Sequence, residues 1–363
     1  MLHCGIIGLP LSGKTTIFNV ITRAGAEVKP YAGGKTDPNR AVVPVPDRRF
    51  DALAEHHNPK KRTPAQVEFV DLAGLSRDAS KGAGLGNSFL SFVAEADALL
   101  HVVRGFSNPS VEHPEGSVDA LRDYKIINLE LVYRDLGVIE NRLSRLGAKK
   151  KLTPEEQVER ELLERCQESL LSEVPIGKMG LSADELRLLR GFAFLSAKPQ
   201  MVVLNLDETQ RGPQDVKGGA ELAEELGSEV PLVCAYGQLE MDLLDLSPEE
   251  AQEFTRDLNI SEPGRERIIS GAYSLLGLIS FFTCGPDEVR AWTLKDGASA
   301  VDAAGAIHSD LARGFIKAQV VSYEDYASHG FSITACREAG CLRLEGKDYR
   351  VKDGDVIEIR FNV

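Results

Sequence analysis

The chain lacks the features that would carry it into a membrane or out of the cell. Its longest apolar stretch, Ser274 to Cys284, is too short to span a bilayer and is interrupted by Gly277 and Ser280. The first residues, Met-Leu-His-Cys-Gly-Ile-Ile-Gly, run straight into a strand pattern with no basic n-region and no cleavage site. No export is expected, and the expected compartment is the cytoplasm. A basic excess is also missing. The formal net charge is −13, which excludes wholesale coating of nucleic acid, because phosphate binding needs clustered Lys and Arg. It leaves room for a local basic patch. None of the six cysteines (Cys4, Cys166, Cys234, Cys284, Cys336, Cys341) forms a C-x-x-C pair. They read as buried free thiols in a reducing compartment, not as zinc ligands or disulfides. Cys336 and Cys341 share an expected loop, where redox pairing is the alternative. His56 and His57 have no metal partner near in sequence and read as surface residues.

A chain of 363 residues exceeds one ordinary core, so two or three domains are expected. Short apolar runs at Cys4–Gly8, Val67–Val70, Ala98–Val103, Met201–Leu206 and Pro231–Ala235 alternate with helical patterns, the first opening at Thr15. Continuous apolar strands suit a parallel sheet covered on both faces, hence an α/β fold. Between about residues 120 and 197 the alternation stops. Leu129, Val132, Leu136, Ile139, Leu143 and Leu146 recur at spacings of 3 and 4, an a/d seam. Gly147 and Lys149-Lys150-Lys151 end that helix. The lysines read as a solvated turn, with RNA contact as the alternative. Thr153-Pro154-Glu155-Glu156 starts a second helix with a capping box, and its apolar face is Val158, Leu162, Cys166 and Leu170. Ser182 with Glu185 starts a third. The sequence thus predicts a helical hairpin inserted into the α/β domain.

From about Phe281 the character changes. Ala291–Thr293, Phe315–Ser322, Leu342–Leu344 and Val356–Phe361 look like short strands, and Asp353-Gly354-Asp355 is a turn signal. A short helix is expected over 298–304, closed by Gly305. Trp292 reads as a core residue. The expected division is residues 1–120 with 198–278 as the nucleotide-binding domain, 121–197 as the helical arm, and 279–363 as a small β-rich domain.

The chemistry sits at the strand ends. Gly8-Leu9-Pro10-Leu11-Ser12-Gly13-Lys14-Thr15 matches G-x-x-x-x-G-K-[ST] between a strand and a helix. Gly8 and Gly13 let backbone N–H groups turn toward phosphate oxygens, and the helix N-terminus, with Thr16, adds its dipole. Lys14 is expected to reach the β- and γ-phosphates, and Thr15 to ligate Mg²⁺. Asp71-Leu72-Ala73-Gly74 follows the Val67 strand as a D-x-x-G element. Asp71 is expected in the Mg²⁺ shell, and the Gly74 N–H against the γ-phosphate. Thr36, in a glycine-rich segment, is the candidate to close the metal site. Asn205-Leu206-Asp207-Glu208 stands where a GTPase carries N-K-x-D. Leu206 in place of Lys, and Glu208 one methylene longer than Asp, argue against guanine selectivity. Asn205 remains able to meet an adenine edge, with Cys234-Ala235 completing the base pocket through backbone groups.

These motifs closely resemble the Obg-like ATPases of the YchF type, translation-factor-related P-loop NTPases. The resemblance spans essentially the whole chain. It includes Val42-Val43-Pro44-Val45-Pro46-Asp47, Ala79-Ser80-Lys81-Gly82, Gly84-Leu85-Gly86-Asn87, His101-Val102-Val103-Arg104, Val289-Arg290-Ala291-Trp292 and Glu345-Gly346-Lys347-Asp348-Tyr349, and continues to Phe361-Asn362-Val363. It implies a G domain with a mostly parallel sheet, a coiled-coil arm and a C-terminal TGS domain of β-grasp type. It also implies ATP preferred over GTP, slow turnover with Mg²⁺, and a ribosomal partner, with RNA contact through the arm or the TGS domain. Two alternatives are a GTPase with relaxed base reading and a nucleotide-binding adapter that does not hydrolyse. The family pattern has Asn-Val after the P-loop Pro. Leu11-Ser12 here removes an Asn that in related GTPases helps hold a monovalent cation. Leu75, after Gly74, is apolar where Ras-like enzymes place a water-orienting Gln. His113 is the candidate to position the water instead.

Overall fold

A computed structural model describes residues 2–22, 27–29, 39–71, 87–247, 250 and 263–362. The chain divides into two compact units, Met1–Ala41 with Glu68–Ile268, and Val42–Val67 with Ile269–Val363.

The first unit is built on a seven-stranded sheet. In chain order its strands are β1 (His3–Ile7), β2 (Glu27–Lys29), β3 (Asn39–Pro44), β5 (Gln66–Asp71), β6 (Ala98–Arg104), β7 (Gln200–Asn205) and β8 (Leu232–Ala235). Their order in the sheet is β2-β3-β5-β1-β6-β7-β8, and β5, β1, β6, β7 and β8 are mutually parallel. Strand β6 is buried at every position, the signature of a strand covered on both faces. Helix α1 (Lys14–Thr22) follows β1 across the loop of residues 8–13, and α3 (Asn87–Glu95) precedes β6. All five strands expected from the apolar runs form within about one residue of the expected bounds.

The interruption is helical, as its heptad spacing predicts. Helix α4 (Ala120–Gly147) is capped by Asp119. Its first half packs Ile127 and Leu131 against Ile7, Val70 and Leu99 of the sheet core. Its second half packs Val132, Leu136 and Ile139 against Leu162, Leu163, Cys166 and Leu170 of α5 (Pro154–Leu171). The Thr153 capping box and the one at Ser182, which opens α6 (Ala183–Leu189), are both formed. Val158 departs from the expected apolar face and is exposed. Near the tip ion pairs add to the apolar contact, Arg142 with Glu159 at 2.6 Å and Lys149, just past α4, with Glu156, while Leu146 stays buried. Lys150 and Lys151 are exposed.

The second unit is a six-stranded mixed sheet of β4 (Lys61–Thr63), β9 (Leu278–Cys284), β10 (Glu288–Lys295), β11 (Phe315–Ser322), β12 (Arg343–Glu345) and β13 (Asp355–Phe361), ordered β12-β11-β13-β9-β10-β4. Strand β9 pairs antiparallel with β10 and parallel with β13. Helix Ala300–Ile307 buries Ala300, Ala303 and Ala304 against Phe281, Phe315 and Ile357. This is a β-grasp arrangement. The longest apolar stretch is therefore largely a central strand, β9, which the sequence reading left unassigned. Helix Ala300–Ile307 also runs through Gly305 instead of ending there; its C-cap is His308. A Cβ at Gly305 would make only an ordinary 3.6 Å contact with the Ala312 Cβ, so the packing of helix Ser309–Arg313 does not require glycine there. The Asp353-Gly354-Asp355 turn forms, with Gly354 at φ +89°.

The sequence reading assigns residues 42–67 to the nucleotide-binding domain, but in the structure they group with the C-terminal sheet, apart from their two ends, which complete β3 and β5 of the first sheet. Asp47 caps α2 (Arg48–His57). Arg49 Nη1 donates to Asp353 Oδ2 at 2.8 Å, and β4 pairs with β10. His56 and His57 are not merely solvated. His56 packs on Phe331 with ring centroids 4.7 Å apart, and His57 Nε2 is 3.2 Å from the Tyr326 hydroxyl. Trp292 lies at the edge of the core, its Nε1 donating to Thr283 Oγ1 at 2.9 Å. All six cysteines are free thiols. Cys336 lies on helix Ile333–Glu338, not in a loop.

Candidate nucleotide site

The loop between β1 and α1 turns on glycine geometry. Gly8 has φ +145° and Gly13 has φ +92°, both strained for any residue with a Cβ. A Cβ at Gly8 would stand 2.2 Å from the Val102 carbonyl, and one at Gly13 would stand 2.2 Å from Asn205 Nδ2. Leu11 also takes a left-handed conformation, φ +61°, at a cost that an Asn in its place would largely avoid. Its side chain is exposed, whereas Ser12 is buried with its Oγ unpaired.

Lys14 is buried at the start of α1, and its Nζ donates to Gly8 O at 2.9 Å and Leu9 O at 2.7 Å. Burial pushes its pKa down to about 8, against the opposing pull of Asp71. Below that pH it is a preorganised cation beside inward-turned backbone N–H groups, an arrangement suited to phosphate oxygens. His101 on β6 is fully buried nearby, and burial, with Lys14 adding to it, drives its pKa down to about 3. It therefore adds no competing positive charge near neutral pH. Thr15 Oγ1 donates to Asp71 Oδ2 at 3.1 Å. Two hard oxygen donors thus meet where β5 ends and α1 begins, a donor set that fits Mg²⁺. Thr36 and Gly74 lie outside the described residues.

Asn205 ends β7 and locks the loop. Its Nδ2 donates to Ser12 O at 3.2 Å, and its Oδ1 accepts from Gly237 N at 3.0 Å. One proton and one lone pair of the amide remain for a ligand. Its first duty is to hold the loop, which differs from the expected base contact alone. Leu206 is buried in a cluster with Val103, Leu204 and Val216, the reason a lysine is not accommodated there. Glu208 is exposed. A cavity of about 580 Å³ is lined by Leu11, Gly13 and Thr16 from the loop, by Asn205 to Thr209, and by Phe106, Ser107, Asn108, Val111, Gln238 and Leu239. That volume suits a small organic ligand. It lies at the carboxyl ends of parallel strands, where open α/β sheets bind ligands.

Cys234 and Ala235, expected to complete the base pocket through backbone groups, do not line the cavity. Cys234 O accepts from Arg267 Nη2 at 2.6 Å and Ala235 O from Leu206 N at 2.8 Å, which uses one lone pair of each carbonyl. Phe106 is a site residue that the sequence reading missed. The Arg104 guanidinium lies 4.4 Å from its ring centroid, and the ring lines the cavity. The one available signal was its place just beyond a buried parallel strand.

His113 is buried. Its Nδ1 accepts from Glu115 N at 3.1 Å, which places the proton on Nε2, 2.8 Å from Asp123 Oδ2. Burial raises the pKa of Asp123 despite its bonds to Arg122 and His113. Both ring nitrogens are thus committed here, so positioning a water requires the ring to leave Asp123.

Residues 278–362 match the family model of the YchF GTPase C-terminal region, described as a protein of unknown function (DUF933). Residues 3–133 match one described as a 50S ribosome-binding GTPase. The chain is 44% identical to a Bacillus subtilis protein called ribosome-binding ATPase YchF, covering all of both chains. It is 43% identical to the protein of that name from Escherichia coli O157:H7, over 99% of each. Among solved structures, the Schizosaccharomyces pombe YchF GTPase is similar with a TM-score of 0.87 and 35% identity, covering 99% of this chain and 97% of that one.

Proposed function

Because the chain belongs to the YchF family of P-loop NTPases, we propose that it is a slow, Mg²⁺-dependent ATPase that works as a nucleotide-controlled switch at the ribosome. The relatives' names, ribosome-binding ATPase, support the partner and the reaction class. Lys14 holds the β- and γ-phosphates, the backbone from Gly8 to Thr16 cradles them, and Thr15 with Asp71 holds the Mg²⁺, with Thr36 and Gly74 completing the switch. The ion neutralises phosphate charge when bound.

The observation that carries the choice of ATP is the burial of Leu206 beside an exposed Glu208. A guanine site needs an acidic group fixed to accept two hydrogen bonds, and among the described residues no hydrogen bond or ion pair holds the exposed Glu208 carboxylate. Phe106 offers its face to a base, and Asn205 keeps one donor and one acceptor for adenine. A GTPase reading has support in the name of the fission-yeast relative, YchF GTPase. Parallel titration with labelled ADP and GDP separates the two readings. ADP is expected to bind tighter, and tighter GDP binding overturns the choice. Hydrolysis is expected to be slow alone and faster with ribosomes. Failure to release phosphate under either condition favours a nucleotide-binding adapter. His113 is the proposed water-positioning group in a state where its bond to Asp123 has opened, and unchanged ATP hydrolysis by His113→Ala removes it from that role.

The proposed functional division keeps 1–120 with 198–278 as the nucleotide domain, 121–197 as the arm and 279–363 as the TGS domain. The arm and the TGS domain are the parts proposed to meet ribosomal RNA, through local patches in keeping with the acidic net charge. No helix among the described residues is long and apolar enough to cross a membrane, and the proposed location is the cytoplasm.

A further inference from the structure

The β-grasp unit brings together three side chains that the nucleotide reaction does not use. His329, Cys336 and Cys341 each offer one ligand atom, an imidazole nitrogen and two sulfurs, and these atoms lie within 4.8 Å of one another. They are the one such group of metal-ligating side chains among the described residues. We propose that they form a zinc(II) site with three protein ligands and one open position.

The spacing, H-x₆-C-x₄-C, follows no common zinc motif, and without a C-x-x-C pair the cysteines read from sequence as free thiols. Two left-handed turns create the cluster. After helix Tyr323–Ser328, Gly330 (φ +64°) and Phe331 (φ +56°) reverse the chain, with Phe331 N bonded to Tyr326 O at 2.8 Å. After helix Ile333–Glu338, Gly340 (φ +75°) does the same, with Cys341 N bonded to Cys336 O at 3.0 Å. That bond is the long-range closure of a Schellman turn, which glycine favours. The first turn sets His329 beside Cys336, and the second folds Cys341 back over it.

The chemistry of the donors selects the metal. Two thiols and an imidazole are a borderline-soft set, suited to Zn²⁺ and poor for Mg²⁺ or Ca²⁺. His329 Nδ1 lies 2.8 Å from the Asp325 carbonyl. A carbonyl only accepts, so Nδ1 donates and the lone pair is on Nε2. A ring nitrogen donating to a backbone carbonyl is the usual support of a metal-bound histidine. Zinc bonds of about 2.0–2.3 Å in a tetrahedron place ligand atoms roughly 3.5–3.8 Å apart. Shifts on the order of 1 Å therefore close the site. Cys336 is fully buried, while His329 and Cys341 are half-buried, so the cluster has an inner anchor and an open entry. Binding releases the two thiol protons, and the two thiolates balance the charge of the cation.

Cobalt(II) is the probe. The full-length protein, reduced and stripped by chelator, is titrated with Co²⁺ and followed by absorption. One equivalent is expected to produce thiolate-to-cobalt charge-transfer absorption, and one equivalent of Zn²⁺ is expected to bleach it. Cys341→Ser should remove at least half of that absorption. His329→Ala should weaken Co²⁺ binding by at least about tenfold, the lower end of what losing even a ligand's hydrogen-bond partner costs. Both variants change half-buried positions of the β-grasp unit and should keep the wild-type thermal melt and circular dichroism of the metal-free protein, which checks their folding. Absence of the absorption in wild type overturns the proposal. So does absorption that is unchanged in Cys341→Ser, since it would then come from other thiols.

Discussion

The ammonium of Lys14 is buried against the carbonyls of Gly8 and Leu9, with the Thr15–Asp71 pair as its neighbour. Its pKa of about 8, against an ordinary 10.5, is set first by burial. Bound phosphates favour the charged form, so binding above pH 8 must take up a proton. Triphosphate affinity is therefore expected to be flat below about pH 8 and to fall above it, approaching tenfold per pH unit. The free protein should show the opposite trend in stability. Between pH 8 and 10.5 the unfolded chain binds this proton better than the folded one, so stability rises with pH across that window. The full effect is at most about 3 kcal/mol. Labelled-nucleotide titrations and urea unfolding from pH 7 to 10 check both trends, and the stability rise should be smaller in Lys14→Met. The phosphate side of this site is legible in the sequence, because glycine geometry and a helix N-terminus are local properties of Gly8 to Thr16. The base side is less so. Phe106 joins Asn205 through strand adjacency across β6 and β7, and the Cys234 and Ala235 carbonyls each accept a bond from a partner distant in sequence.

At the scale of elements, the arm is held by one buried carboxylate that periodicity does not reveal. Asp135 is fully buried in α4, accepting from Leu195 N at 3.0 Å and Ser196 N at 2.7 Å, with Arg134 at 3.2 Å. It ties the outgoing helix to the chain that returns toward β7. Asp135→Ala leaves two buried N–H groups without their acceptor and is expected to cost about 2–3 kcal/mol. Asp135→Asn should cost less, since its single carbonyl oxygen still serves one of the two. Hydrogen exchange is the discriminating measurement, with protection falling first in α4, α5 and the 190–197 segment while β1 and β6 stay protected. The arm is legible wherever apolar spacing and capping boxes carry it. It is illegible at Val158, which is exposed where ion pairs add to the apolar contact, and at Asp135, where an acidic residue within an otherwise ordinary helix does the anchoring. Gly305 belongs with these: a glycine reads as a helix end, but the helix continues past it to Ile307, with His308 as its cap.

Across the whole molecule, the unit boundary falls where no composition shift marks it. Residues 42–67 are far in sequence from the C-terminal sheet, yet they supply it with a helix and an edge strand. Phe50, Leu53 and Ala54 are the buried face of α2. Arg49 bonds to both Asp47 and Asp353, and these acidic partners hold its pKa above the usual guanidinium value despite partial burial. Thr63 Oγ1 donates to Glu288 Oε1 at 2.6 Å beside the β4–β10 pairing. A fragment of residues 269–363 alone therefore lacks the cover on part of its core and exposes β10 as an unpaired edge, a template for association. It is expected to aggregate or to melt broadly and well below the intact unit. Joining residues 42–67 to that fragment through a flexible linker should restore a single cooperative transition and a monomeric state. Calorimetry and light scattering on the two fragments decide the matter, and a fragment of 269–363 that melts as sharply and as high as the joined form would place 42–67 outside the fold's requirements. The covered version is expected to win because hydrophobic cover from α2 and closure of the β10 edge act on the same strand. Losing both at once draws heavily on a reserve that for a domain is only about 5–15 kcal/mol.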